Sequence, residues 1–443
     1  MLVRTRNRFP ILAASLLLTA GMIFYCGSVH AQSEHTPDDW VPENQPDRRH
    51  QGQPLVPDVA PEFPGMVKGA VVKLTDPILG PDSKYGAKFN PTLFRARDHD
   101  GKIKFFMVVR AEQNLGDSNW KRRSLPEYAI SEDGIHYTMS DHGPLFLPEE
   151  DFNRIGGIED PRYTDLRLQP YVDTDGKSFD GAILYTGFDG KTARVGVALF
   201  NHSDPYHFRK LKEPLFPDAD ILRNPIVPGS AWNKSPAVLQ YRDPVSGKVR
   251  NVIYIGEGNR EHGGIMAMES DSPLKWQWPK PGIKPVIQTR PGKYDQNLVE
   301  PAFVPMIAPL PPALARKYGM SHGIYLCLHG DSPPKGYQVG FRIFSLKHPT
   351  GAPIYASDGP FLSPDQSWEK EGQVGKVVFA SGAYRSDGKL YIAYGAADSR
   401  IGLAIADLAD PKPIHFWKPG TPEPKLSFIQ FCNRLLRGFN GIH

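Results

Sequence analysis

Between residues 100 and 407 one pattern of apolar and polar positions recurs along the chain: an apolar, β-prone strand, a polar or glycine-containing loop, then a second strand with glycine or small residues. Five copies stand out. They are Ile103 to Arg110 with Pro126 to Ser131, Ala182 to Thr186 with Val195 to Leu199, Val252 to Ile255 with Gly264 to Met268, Ile324 to Leu328 with Val339 to Ile343, and Leu390 to Tyr394 with Ile401 to Ile405. Their starts are spaced by roughly 65 to 80 residues, longer than the period of simple sandwich strands at about 8 to 12. A single hairpin cannot bury both faces, whereas several sheets set around an axis bury one another. The pattern therefore predicts an all-β chain folded as a five-bladed β-propeller, with a two-sheet sandwich as the alternative. Turn signals such as Asp100-Gly101-Lys102, Asp175-Gly176-Lys177, Asp189-Gly190-Lys191, Ser246-Gly247-Lys248 and Asp387-Gly388-Lys389 fit hairpins. The one short helix predicted lies near Pro312 to Tyr318.

The ends read differently. Arg4, Arg6 and Arg8 precede an apolar run from Phe9 to about Tyr25, and small residues follow at Val29-His30-Ala31. This predicts a secretory signal over 1–31, and hence an exported protein, periplasmic or extracellular, with no membrane association after cleavage. Ile23-Phe24-Tyr25 before Cys26 is too bulky for a lipid-attachment site. Residues 32–65 are rich in Pro, Asp and Gln and read as an extended arm, 66–410 as the propeller, and 411–443 as a tail that includes a short docking segment around Leu435-Leu436-Arg437. Past the leader only Cys327 and Cys432 remain, too few for a disulfide framework. The net charge of +4 is spread without a polybasic block, which argues against nucleic acid and membrane surfaces as partners. The oligomeric state is left open.

Candidate chemistry concentrates in Gly156-Gly157-Ile158-Glu159-Asp160-Pro161-Arg162, where two carboxylates and a guanidinium flank a rigid proline behind a flexible glycine pair. The bland reading is a surface loop with an ion pair. In a propeller, loops after equivalent strands meet at one end of the axis, which would gather Arg110, Glu112, Asp189, Glu257, His329, Asp331 and Asp398. Such a ring of carboxylates, Arg and His suits a sugar, which needs many directed hydrogen bonds. The histidines lack helical ligand spacings, so no metal and no cofactor is expected, although a structural calcium ion stays compatible with the sequence.

Phe89-Asn90-Pro91, Val109-Arg110-Ala111-Glu112, Ser131-Glu132-Asp133-Gly134, Gly157 to Arg162, Lys234, Leu328-His329-Gly330, Val377-Val378-Phe379 and Tyr394 to Asp398 leading into Ile401-Gly402-Leu403-Ala404 arrive in order along the chain. Together they resemble glycoside hydrolase family 130, the β-mannoside phosphorylases and mannosidases. The resemblance implies a five-bladed propeller acting on a mannose-containing oligosaccharide, with Asp160 as general acid, acting directly or through a hydroxyl of the bound sugar. It implies Asn90, Arg110 and Asp398 as sugar contacts, with His329 on the same rim, and Arg162 and Lys234 as phosphate ligands if the enzyme is a phosphorylase. Where the phosphorylases resemble a His-Arg pair, this chain has Ile255-Gly256-Glu257-Gly258-Asn259, and Glu300 follows in Asn297 to Pro301. A carboxylate there repels phosphate and suits a base, with Glu261 as a substitute for Glu257. An inverting hydrolase needs such a base roughly 6.5 to 9.5 Å from the acid.

Export favours hydrolysis, since a sugar phosphate conserves bond energy only inside a cell, while Arg162 and Lys234 pull toward phosphorolysis with inorganic phosphate as co-substrate. The expectation is an exported inverting exo-hydrolase of β-mannosides with Asp160 as acid and Glu257 or Glu300 as base. The alternatives are a phosphorylase releasing mannose 1-phosphate and a non-catalytic sugar-binding propeller. Ile307 to Met320, with Pro309, Pro311 and Pro312, is expected to be a lid or a partner surface.

Overall fold

Each of the five expected hairpins is an antiparallel strand pair, with Val109 opposite Glu127, Leu184 opposite Val197, Ile253 opposite Met268, Cys327 opposite Phe341, and Ile392 opposite Ala404. The computed structural model describes residues 66–113, 124–189, 192–216, 234–259, 263–279, 283–303, 305–386, 388–408 and 414–422. The expected signal, the arm, Glu261, Cys432 and the segment around Leu435 lie outside the described residues. At Gly101 and Gly247 the backbone takes φ of 79° and 70°, which glycine adopts without a Cβ penalty and which closes tight connections between strands.

Strands dominate, so the all-β reading holds, but they group unevenly. The sheets have four, eight, three, six and two strands instead of five equal sets. The eight-stranded sheet consists of two antiparallel meanders. One runs Tyr85–Arg97, Ile103–Gln113, Ser124–Ser131 and Thr138–Met139; the other runs Gly157–Asp165, Gly181–Phe188, Ala193–Asn201 and Asp204–Lys210. A single parallel pairing, Ser124 with Gly157, joins them. The three-stranded sheet comprises Ala237–Arg242, Val249–Ile255 and Met266–Ser270. In the six-stranded sheet His322–Ser332 and Gly336–Ser345 form the longest pair, flanked by Leu298–Pro301 and Met306–Pro309. In the four-stranded sheet the first strand, Met66–Lys73, pairs with the last, Arg400–Leu408, so the two ends of the sheet array are fastened together.

Apolar side chains alternate inward from these strands into four clusters. Phe94 centres one of them. Its ring lies 5.5 Å from that of Phe106 and 4.9 Å from that of Phe200, spacings at which aromatic pairs add to simple burial. Cys327 is buried as a free thiol.

The short helix Pro312–Tyr318 begins on proline and ends at Gly319 in the left-handed region (φ 61°), with Arg316 and Lys317 in its last turn. It is not part of a lid. Ala308, Leu310, Ala315 and Met320 are buried in the largest core cluster, because the segment first pairs as Met306–Pro309 with His322–Ser332. Part of the expected tail is likewise packed on the body: Ser321 N donates to His415 O at 3.0 Å and Trp417 N to Gly319 O at 2.9 Å.

Candidate active site

Backbone conformation marks the site before its charges do. Among the described residues seven that are not glycine have positive φ, and five of them are Asn90, Asp160, Ser235, Ala397 and Asp398. Left-handed backbone costs a residue with a Cβ free energy, least for Asn and Asp, and such residues cluster where a side chain must be re-aimed. At Asn90 and Asp160 the strand register slips, between Phe89 and Thr92 and between Glu159 and Arg162. Neighbouring strand residues ordinarily face opposite sides. Here the slip lets Glu159 and Asp160, adjacent in sequence, reach the same guanidinium.

That guanidinium is Arg110, on the strand Ile103–Gln113. Its Nη1 donates to Asp160 Oδ1 at 2.9 Å, its Nη2 lies 3.2 Å from Glu159 Oε1 and 3.4 Å from Glu112 Oε1, and its Nε donates to Ser124 Oγ at 2.9 Å. The Phe89 ring supports it from below at 4.6 Å. Asn90 Nδ2 donates to the same Asp160 oxygen at 2.8 Å, and Asn90 itself fits because a Cβ at Gly395 would lie 2.1 Å from its Oδ1. Burial pushes the Asp160 carboxyl up, yet Arg110, the Asn90 bond, Lys234 and Arg162 outweigh it and hold it below the usual carboxylate range. Glu159 behaves oppositely: burial and the Asp160 charge raise it against the pull of Arg110 and Lys234.

Facing this half is a second cluster built on Lys234. Its Nζ lies 2.5 Å from Glu257 Oε2 and 3.7 Å from Glu300 Oε2. Ser235, left-handed at φ 54°, donates its hydroxyl to Glu300 Oε2. Burial and the Glu300 charge push Glu257 up to about 7, with Lys234 opposing. Lys234 is itself raised, since Glu257 and Glu300 overcome the effect of burial. His329, directly opposite Glu300 in the strand register, stacks 3.7 Å from the Phe379 ring, and its Nε2 lies 3.1 Å from Ala380 O. Burial and the nearby Arg162 hold it well below the ordinary histidine range, so it is neutral. Its Nε2 is then the donor, leaving Nδ1 an acceptor 3.7 Å from Glu300 Oε1.

Several buried polar atoms here have no hydrogen-bond partner in the protein: Asn90 Oδ1, all three nitrogens of Arg162, Thr186 Oγ1, His329 Nδ1 and Ser381 Oγ. Folded chains satisfy nearly all such groups internally, so a convergent set of unmade bonds is what a pocket for a hydroxyl-rich ligand presents. Arg162 lies over Phe379 at 5.5 Å, with Asp160 and Glu300 as its charged neighbours.

The structure thus brings together Asn90, Arg110, Asp160, Arg162, Lys234, Glu257, Glu300 and His329. Asp398, half-buried, joins them through its field on the Tyr337 hydroxyl, which also feels Glu300, Glu257 and Asp331. Asp189 does not belong: its carboxylate accepts from Thr192 N at 2.7 Å and closes a turn. Residue-by-residue reading missed Ser235, Tyr337 and Gln373, whose Nε2 donates to Glu112 Oε2 at 3.2 Å and to Asp398 O at 2.8 Å. A signal for Ser235 was present. A polar residue followed by proline recurs at Asn90-Pro91, Asp160-Pro161, Ser235-Pro236 and Glu300-Pro301, at intervals of 70, 75 and 65 residues.

Comparison with known proteins shows the family. A 1,2-β-oligomannan phosphorylase of Thermoanaerobacter sp. (strain X514) is 27% identical over 288 residues, 64% of this chain and 79% of its own length. A β-1,2-mannobiose phosphorylase of the same organism is 26% identical over 75% of this chain and 95% of its own. A solved structure, reported under the statement that the GH130 family of mannoside phosphorylases contains glycoside hydrolases that target β-1,2 mannosidic linkages in Candida mannan, superposes with a TM-score of 0.59 at 25% identity, covering 84% of this chain and 99% of that one. The family model described as β-1,4-mannooligosaccharide phosphorylase matches residues 58–410. The chain belongs to glycoside hydrolase family 130.

Proposed function

We propose that this protein is an inverting β-mannoside hydrolase, working in a five-bladed propeller whose end strands close the ring. The observation that carries this reading is the neutralisation of Lys234 by Glu257 at 2.5 Å and Glu300 at 3.7 Å. Six carboxyl groups, Glu112, Glu159, Asp160, Glu257, Glu300 and Asp398, face three cations, Arg110, Arg162 and Lys234, and His329 is neutral. Like charges about 4 Å apart repel by about 4 kcal/mol at an effective dielectric constant of about 20. A phosphate dianion entering beside the glutamates meets that repulsion; water does not. Glu257, or Glu300 beside it, takes a proton from the water as it attacks the anomeric carbon. Asp160, once protonated, supplies a proton to the leaving oxygen, directly or through a sugar hydroxyl. Asn90, Arg110, His329 and Asp398 hold the sugar.

The names of the sequence relatives favour the second reading, phosphorolysis, over this one, and so does the unpartnered guanidinium of Arg162, a ready fork for an anion. They also make β-1,2-linked mannosides the substrates to try first. The N-terminal pattern of basic and apolar residues, read as an export signal, weighs toward hydrolysis. The test is product analysis on β-1,2-, β-1,3- and β-1,4-manno-oligosaccharides with and without inorganic phosphate. Free mannose in both conditions supports the proposal; mannose 1-phosphate formed only with phosphate overturns it in favour of a phosphorylase.

A further inference from the structure

Asp160 presents a difficulty for any reading in which it donates a proton. Arg110 and Asn90 both bind its Oδ1, and that arrangement favours the carboxylate. The adjacent Glu159 offers a resolution. The positive φ of Asp160 (47°) and the register slip around it put both carboxyls on one guanidinium, Nη1 on Asp160 at 2.9 Å and Nη2 on Glu159 at 3.2 Å. In a regular strand Glu159 would face away and would not share this partner. Among the described residues no neutral donor hydrogen-bonds the Glu159 carboxyl, and Thr186, opposite it in the sheet, leaves its buried hydroxyl without a partner in the described protein.

We propose that Glu159 is a positioning residue that forms with Asp160 a carboxyl pair sharing one proton across Arg110, and that this pair supplies the proton Asp160 needs when sugar is bound. The inference rests on the general-acid role given to Asp160 above. In the proposed pair the proton rests on Glu159 until sugar binds, the side to which burial and the Asp160 charge push it. A sugar whose hydroxyls engage Asn90 Nδ2 and Arg110 Nη1 strips Asp160 of its donors, and the proton then resides on Asp160. One proton leaves Glu159 and one arrives on Asp160, so the charge of the pair is unchanged. The groups that face the pair are Arg110 and Glu112 from the strand Ile103–Gln113, Asn90 and Thr186 from the flanking strands, Arg162 on its own strand, and Lys234, Glu257 and His329 across the site. All but Glu112 and Glu257 are cationic or neutral. Those cations favour ionisation of the pair, whereas burial and the repulsion between its two carboxyls hold a proton on it, so removal of Glu159 is expected to lower the proton affinity of Asp160.

Two measurements test this, one of which needs no turnover. In protein labelled with carboxyl-¹³C glutamate, with the Glu159 resonance identified by its loss in Glu159→Gln, Asp160→Asn is expected to lower the proton affinity of Glu159 tenfold or more. An unchanged titration would show that the carboxyls do not communicate and would overturn the proposal, even if the enzyme hydrolyses mannosides normally. In kinetics, Glu159→Gln is expected to move the alkaline limb of the kcat profile down by one pH unit or more and to lower kcat at neutral pH at least tenfold, with KM little altered. Glu159→Asp is expected to restore the limb in part. A fall in melting temperature with the limb unmoved assigns Glu159 a purely structural role and also overturns the proposal. If no mannoside is cleaved by the wild type, it is the general-acid reading that fails, and the titration alone decides whether the pair exists.

Discussion

The charged residues of the candidate site are tuned by one another more than by solvent. Glu257 is raised to about 7 by burial and by Glu300, so as a base it is ionised above that pH and protonated below it. Activity is therefore expected to fall as pH drops through about 7, and Glu257→Gln is expected to remove both this limb and most of the rate; a pH profile of kcat/KM for the two proteins checks it. Asp160→Asn is expected to lower kcat by about 10² to 10⁴, the usual contribution of a positioned acid, with mannoside affinity retained in a binding assay. An unaltered rate in that variant would leave the sugar-binding role of the pocket without its catalyst.

At the scale of elements, the site depends on strands that depart from regularity. The slips at Asn90 and Asp160 aim side chains that a flat strand would turn away, and they leave close backbone approaches behind them. Gly395→Ala places a Cβ 2.1 Å from Asn90 Oδ1 and is expected to displace the Asn90 bond to Asp160. The expected outcome is a loss of kcat of tenfold or more with the thermal transition retained, measured by steady-state kinetics beside calorimetry. These departures also explain what the sequence did and did not reveal. Hairpins at Val109, Leu184, Ile253, Cys327 and Ile392 were legible because apolar periodicity and turn residues act locally. Asp160 stood out through the charges packed beside Gly156-Gly157 and Pro161, whereas Asn90 and Lys234 were found through their resemblance to a family, since neither carries a hydrophobic signature. Ser235 was hidden in the repeated polar-proline pairs. Gln373 and Tyr337 lie on segments whose approach to Glu112, Asp398, Glu257 and Glu300 depends on folding of the whole chain.

The molecule as a whole is held by the pairing of its first and last described strands. Lys73 on Met66–Lys73 is buried, and its Nζ lies 2.9 Å from Glu369 Oε1, whose carboxylate also accepts from Tyr394 and from the backbone of Asp365 and Gln366. Lys73→Ala leaves that carboxylate without its cation and is expected to cost about 3 to 5 kcal/mol, read from urea unfolding. The uneven sheets were not foreseeable, because the seam between the first two meanders is a single backbone pairing at Ser124 and Gly157, to which side-chain patterns contribute nothing. The carboxylates beside Lys234, in contrast, were legible from Glu257 standing where phosphorylases resemble a His-Arg pair and from Glu300 on the segment that follows.

Attack of water on the anomeric carbon, with Glu257 and Glu300 neutralising Lys234, distinguishes hydrolysis from phosphorolysis in this pocket. The decisive experiment follows cleavage of a β-1,2-manno-oligosaccharide in ¹⁸O-labelled water containing inorganic phosphate, with proton NMR for the first-formed anomer and mass spectrometry for the label. Hydrolysis with inversion yields α-mannose carrying ¹⁸O at its anomeric carbon, the expected result. Unlabelled α-mannose 1-phosphate as the first product would contradict it.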